Sequence, residues 1–257
     1  AGHHALILKG INNNPAAAGF FVPVRFTHCI CRYAPLQCGK PITQKKTAMS
    51  LYEKYLLPSV IDRACSMPEV MQLRAEVVPQ CRGQVLEVGM GSGINLSLYE
   101  ADKVDWVWGL EPSEGMRRKA EKKHLKNSPV EVRWLDLPGE QIPLPDNSVD
   151  TVLLTFTLCT IPDWRAALAQ MHRVLKDDGE LLFCEHGLSP DAGVARWQNR
   201  ITPMWKCLAG GCHLNRPINE LLTEGGFDIT EIKQRYISGA PRIAGYVFSG
   251  RARKAAA

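Results

Sequence analysis

The chain has 257 residues, enough for one domain with an appendage and a substantial core. A hydrophobic content of 45% and a charged content of 22% suit an ordinary globular protein. No apolar run approaches the ~20 residues of a membrane span; the longest, Ala16 to Val24, is too short and contains Pro23. The formal charge of +5 belongs to one end. Residues 1–48 carry Lys9, Arg25, Arg32, Lys40, Lys45 and Lys46 and no acid, which leaves 25 basic and 26 acidic residues elsewhere. The remainder therefore has no charge excess suited to nucleic acid, and a small-molecule substrate is expected. The nine cysteines are an odd number in a long chain. Cys159 and Cys184 fall inside apolar strand patterns, and Cys29-x-Cys31 and Cys38 lack paired C-x-x-C spacing. A reducing, cytoplasmic setting is expected, with no metal site.

Residues 1–48 have no period that lasts, and read as an irregular, expendable or non-native extension. Their poverty in acids makes a targeting segment the alternative. The folded domain is expected over 49–257. Ser50 to Glu53 has capping-box spacing, with Leu51, Tyr55 and Leu56 as a stripe that Pro58 ends. A second helix is expected from Ser59 to Val78, interrupted near Pro68. Gln84 to Leu96 then runs from an apolar stretch through Gly89, Gly91 and Gly93 into a helical pattern: a strand, a tight turn and a helix N-terminus. A side chain at any of the three glycines would bar the backbone from a ligand or demand an unfavourable φ.

The pattern then alternates, as a doubly wound, mostly parallel α/β sheet requires. Strand two is Trp106 to Leu110, followed by a helix from Ser113, its N-cap, to His124. Strand three is Val130 to Leu135 and strand four Val149 to Phe156, with a helix from Asp163 to Leu175. Strand five is Glu180 to Cys184. A helical insertion, Asp191 to Leu208, carries Val194, Trp197, Ile201, Trp205 and Leu208 on one face, bent at Pro203; this stripe reads as core. Pro217 opens a short helix that Gly225-Gly226 ends, and Phe227 to Tyr236 and Tyr246 to Arg253 complete seven strands.

Spacing separates two cofactor classes at the glycine turn. A dinucleotide fingerprint reads G-x-G-x-x-G, but here Ile94 stands where its third glycine belongs. Glu87, at the end of the strand, suits a ligand with a cationic group rather than a pyrophosphate. Glu111 closes strand two about 20 residues beyond the glycines, where an acid meets ribose hydroxyls. Thr157-Leu158-Cys159-Thr160 ends strand four, so it should line the same crevice.

The stretch Glu87-Val88-Gly89-Met90-Gly91-Ser92-Gly93 resembles motif I of class I S-adenosylmethionine (SAM)-dependent methyltransferases. The blocks Glu185-His186-Gly187, Trp197-Gln198, Thr202-Pro203-Met204-Trp205 and Gly211-Cys212-His213-Leu214-Asn215-Arg216 narrow this. They resemble the methyltransferase-like 7 family, the thiol S-methyltransferases, and its bacterial relatives, from about Val85 to Lys254. The resemblance implies a Rossmann-like seven-stranded sheet with leading helices over the cofactor, and SAM as that cofactor. It implies cofactor contacts from Glu87, Gly89, Met90, Gly91, Gly93, Asn95, Glu111, Pro112, Gly139, Glu140, Thr157 and Leu158. Methyltransferases often carry an aspartate two residues before the position of Glu140; Pro138 stands there instead, so backbone groups around Gly139 and Glu140 must read the adenine. The implied reaction is methyl transfer to a small thiol, with methylation at O, N or C, or SAM binding without turnover, as alternatives. The thiolate is the nucleophile in such a reaction. His186 and His213 are the two bases on offer, and for each a histidine bonded to backbone is an equal reading.

Overall fold

The computed structural model describes residues 57–256; the expected extension 1–48 and most of the helix after Ser50 lie outside them. Two helices come first, α1 (Leu57–Cys65) and α2 (Pro68–Val77), broken where Pro68 stands in the first turn of α2. Then follow β1 (Gly83–Val88), β2 (Val104–Leu110), α3 (Glu114–Lys123), β3 (Val132–Leu135), β4 (Val149–Thr155) and α4 (Trp164–Val174). The chain closes with β5 (Leu175–His186), α5 (Ala192–Leu208), α6 (Ile218–Glu224), β6 (Phe227–Tyr236) and β7 (Tyr246–Lys254). Ser113 caps α3 by accepting from Met116 N, and Asp163 caps α4 by accepting from Ala166 N.

The seven strands form one sheet in the order β3-β2-β1-β4-β5-β7-β6, parallel except for β7, which runs antiparallel to both neighbours. Because successive residues face opposite sides, the sheet has two cores. Leu86, Val88, Val152, Leu154, Leu181 and Phe183 pack toward α4 and α6. Val85, Val107, Leu153, Leu182 and Cys184 pack toward α2. The order reverses between β1 and β4, and in such sheets ligands gather beyond the carboxyl ends at that point.

Three expectations change. The helix after the glycine turn shrinks to a 3-10 turn, Ile94–Leu98, because Asn95 and Leu96 turn inward and Tyr99 is already extended. Strand five begins at Leu175 rather than Glu180. The apolar stripe of α5 is not core: Trp197 and Leu208 are exposed, Val194, Ile201 and Trp205 are half-buried, and the buried residues are Gln198 and Thr202. Gln198 is buried because its amide is satisfied, donating to Gly187 O and Ile243 O and accepting from Ser189 N. No helix among the described residues is long and apolar enough to cross a membrane.

Candidate functional site

A cavity of about 460 Å³ opens beyond β1, β2 and β4. That volume is within the ~300–1,000 Å³ of small-molecule sites. Its floor is the glycine turn. Gly89, Gly91 and Gly93 all have φ between +60° and +76°, the left-handed region that glycine enters without a Cβ penalty. Their spaces differ. A Cβ at Gly89 would meet the Thr157 side chain at 2.3 Å, whereas one at Gly91 would project into open space. Gly91 is therefore the close-approach position and Gly89 the packing one.

Glu111 stands at the far edge of the turn and lines the cavity. Its Oε2 accepts from Gly91 N at 2.9 Å and its Oε1 from Ser113 N at 2.8 Å, which ties the end of β2 to the turn. Burial pushes its carboxyl above the usual range, opposed by the Ser113 and Gly91 amides. Each oxygen keeps a lone pair for a ligand hydroxyl. Met90, Pro112, Gly139, Glu140 and Thr157 also line the cavity.

Glu87 does not line it. The alternation of β1 places its side chain on the Val85 face, 1% exposed, where it accepts from Asn95 Nδ2 at 2.7 Å and Tyr99 OH at 2.7 Å. Burial pushes its pKa up to about 7, against the Tyr99 and Asn95 hydrogen bonds. Asn95, expected to touch the cofactor, is likewise buried, and bridges Glu87, Arg74 and Thr155. Gly93 and Leu158 also lie off the cavity lining, Leu158 wholly buried. In place of Glu87, Asp62 and Arg74 join Glu111 and Glu140 as charged groups in the wall. Arg74 donates to Asn95 Oδ1 and to Thr155 Oγ1 at 2.7 Å. Asp62 accepts from Lys123 and from Ser92 in the turn. Sequence reading missed both, since each sits in an ordinary helical pattern well before the turn.

The far wall depends on long-range ties. Phe156 holds a left-handed φ of +55° at the end of β4, a strain of ~1–3 kcal/mol for a non-glycine residue. Its ring stacks on His186 and lies under the Arg74 guanidinium. Glu185, fully buried, accepts from Thr157 N at 2.7 Å and Leu158 N at 3.0 Å, and burial raises its pKa to about 7. Arg216 donates to Leu158 O and, at 2.7 Å, to Ile161 O. These residues give the Glu-His-Gly and Cys-His-Leu-Asn-Arg blocks a physical role: they clamp the loop after β4.

Neither expected base lines the cavity. His213 Nδ1 bonds Cys159 O at 3.1 Å, the backbone-bonded alternative, and burial lowers its pKa. His186 Nε2 lies 3.2 Å from Cys212 Sγ. Burial opposes the His186 charge, but the Cys212 contact and the Glu185 carboxylate together outweigh it and leave the pKa raised. Contact with Cys159 first, then with His186, draws the Cys212 thiol well below its ordinary range.

Comparison with known proteins agrees with this geometry. Residues 86–183 match the methyltransferase domain family. The chain is 35% identical over 199 residues to the thiol S-methyltransferase TMT1B of Rattus norvegicus, covering 71% of this chain and 75% of that one. It is 28% identical over 183 residues to the thiol S-methyltransferase TMT1A of Homo sapiens, covering 65% and 71%. Among solved structures, the YcgJ protein of Bacillus subtilis superposes with a TM-score of 0.56 at 16% identity, over 74% of this chain and 99% of its own. A SAM-dependent methyltransferase of Methanosarcina mazei does so with a TM-score of 0.55 at 19% identity, over 74% and 99%. At those identities the structures show a shared fold. SAM is the methyl donor of such enzymes, and the residues present fit it: an open approach at Gly91, an acid at Glu111 and a cation at Arg74 around one cavity. With a domain match running from β1 to β5 and a relative 35% identical over 75% of its length, the chain belongs to the class I SAM-dependent methyltransferases, in the thiol S-methyltransferase family.

Proposed function

We propose that the methyl acceptor is a small thiol. The observation that carries this is the match to the thiol S-methyltransferase TMT1B, whose 199 aligned residues are about twice the span of the domain match and so reach beyond the cofactor-binding part. A second reading rests on the demethylmenaquinone methyltransferase of Geobacillus kaustophilus, 38% identical over 79 residues, which supports methylation of a quinone precursor. That match covers only 34% of the relative.

In this reading residues 49–257 form the catalytic domain. SAM supplies a methyl group on a sulfonium, already a good leaving centre. The chain's own task is to hold the acceptor in line and exclude water. Gly91 leaves room for the donor's backbone-side approach, Glu111 accepts from ribose hydroxyls, and Gly139 and Glu140 frame the adenine. Arg74 pairs with the donor's carboxylate. Met90, Pro112 and Thr157 complete the cofactor wall, and Phe156 and Ile161 give the acceptor an apolar one. Glu87, Asn95 and Gly93 act beneath the turn, fixing its shape, and Leu158 acts through its backbone. His213 holds Cys159 O and is a positioning residue.

The test is incubation with isotopically labelled SAM and a panel of alkyl and aryl thiols, amines and phenols, with products read by mass spectrometry. Label in thioethers is the expected result. Label only in phenol, quinol or amine products would overturn the thiol reading and leave the cofactor assignment standing.

A further inference from the structure

The loop that clamps the site also gathers a set of soft ligands. Cys159 Sγ, His186 Nε2 and Cys212 Sγ all lie within 4.8 Å of one another, His186 to Cys212 at 3.2 Å. Among the described residues this is the only group of three or more His, Cys, Asp or Glu whose ligand atoms converge so. They come from the loop after β4, the end of β5 and the loop after α5. No C-x-x-C spacing announces them, so the sequence alone suggests no metal. The support is stiff: His213 N and Nδ1 bond Cys159 O, Cys212 N bonds Ala209 O, and the His186 ring stacks on Phe156.

We propose that Cys159, His186 and Cys212 bind one thiophilic divalent cation, zinc by ligand chemistry, leaving a fourth position for the acceptor's sulfur. A tetrahedron with ~2.3 Å Zn–S and ~2.0 Å Zn–N bonds has edges of about 3.5–3.8 Å. The three atoms reach that with sub-ångström to ångström shifts. Two thiolates and one imidazole are a soft donor set that disfavours magnesium and calcium. Three protein ligands and one open position is the arrangement of catalytic rather than structural zinc. Thr160, next to Cys159, and Gly210, two residues before Cys212, both line the cavity, so the cation sits immediately behind its wall.

The thiol part of this inference rests on the proposed acceptor. When a thiol replaces a metal-bound water, a Zn–S bond forms, the S–H bond breaks and its proton leaves to solvent. The sulfur keeps its lone pair. That would deprotonate the acceptor without a histidine in the cavity, where none stands among the described residues.

The experiment is titration of the 257-residue, metal-stripped chain with cobalt(II), followed by zinc competition. One equivalent should produce a thiolate-to-cobalt charge-transfer band that zinc removes. Cys212→Ser and His186→Ala should each weaken binding at least tenfold with the folded far-ultraviolet spectrum retained. A Cys29→Ser/Cys31→Ser/Cys38→Ser variant should keep the band. Loss of the band in that triple variant, with retention in Cys212→Ser, would overturn the site. So would formation of a Cys159–Cys212 disulfide in place of cobalt binding under reducing conditions. Adding the thiol acceptor should shift the band. An unshifted band, or one that Cys65→Ser changes, would overturn the open position, since Cys65 in the cavity wall would then be the fourth ligand. Neither outcome bears on whether thioethers form, which the product analysis decides separately.

Discussion

The glycine turn and the clamp behind it are both needed to shape one cavity, yet they are built differently. The turn is local: three glycines at alternate positions, an acid 20 residues on at Glu111, and a hydrogen bond from Gly91 N to close it. The clamp is remote: Glu185 reaches back 28 residues to Thr157, and Arg216 reaches 58 residues to Leu158. The turn works through backbone dihedrals that only certain residues can adopt. The clamp works through buried charges that must find partners wherever the chain brings them. Mutations in the first should therefore abolish cofactor binding while sparing the fold. Those in the second should disturb fold and turnover together.

The sharpest break is Gly91→Val. A β-branched residue at φ +60° is strained by ~1–3 kcal/mol and its side chain fills the approach to the turn. SAM affinity measured by calorimetry should fall at least a hundredfold, ~3 kcal/mol. Glu111→Ala removes an acceptor shared by two amides and, in the proposed pose, a ribose, for a loss of ~1.5–3 kcal/mol. Wild-type affinity in both variants would remove the cavity from consideration. Arg216→Ala should instead leave two buried carbonyls unpaired, lowering unfolding free energy by ~2–4 kcal/mol and turnover with it. A drop in SAM affinity with unchanged melting and turnover would erase the distinction between the two regions.

Beneath the turn, Glu87 gives a pH signature. Its pKa rises from 4.5 in the unfolded chain to about 7 in the fold, chiefly through burial. Between those values the unfolded state has released a proton that the native state keeps, so stability falls as pH rises. Each such group contributes a slope of ~1.4 kcal/mol per pH unit. Glu185 acts in the same direction over the same window. Glu87→Gln, measured by urea unfolding across that range, should leave a shallower slope carried by Glu185 and Glu111. An unchanged slope would mean that Glu87 titrates normally and that its buried network is misassigned.

What could be read from the sequence follows the same division. The seven strands, the cap at Ser113 and the glycine turn are consequences of short-range rules: period-two alternation, N-cap chemistry and glycine dihedrals. Glu87 and Asn95 were placed on the right turn but on the wrong side of it. Motif spacing fixes where a residue stands along β1, while the pleat decides which face it points to. Arg74 and Asp62 carried no signal at all, because a helical arginine or aspartate looks the same whether it meets solvent or a cavity. Phe156 was invisible for a similar reason: its left-handed φ is imposed by what surrounds β4.

The smallest expected effect tests the one element whose faces the sequence inverted. In α5, Trp197 fits an apolar stripe and Gln198 a polar one, yet Trp197 is 57% exposed and Gln198 is 0% exposed. Hydrophobic periodicity fails at Gln198 because α5 meets loop backbone there. Gly187 O, Ser189 N and Ile243 O need an amide. Gln198→Ala orphans all three and should cost ~2–4 kcal/mol of unfolding free energy. Trp197→Ser removes a ring whose recorded ring contact is the Arg200 guanidinium, 5.8 Å away, and should stay within ~0.5 kcal/mol of wild type. Were the stripe core after all, the tryptophan change would cost ~3–5 kcal/mol and the glutamine change little. Urea unfolding of the two single variants decides between these orders, since the residues are neighbours in sequence and share one helix.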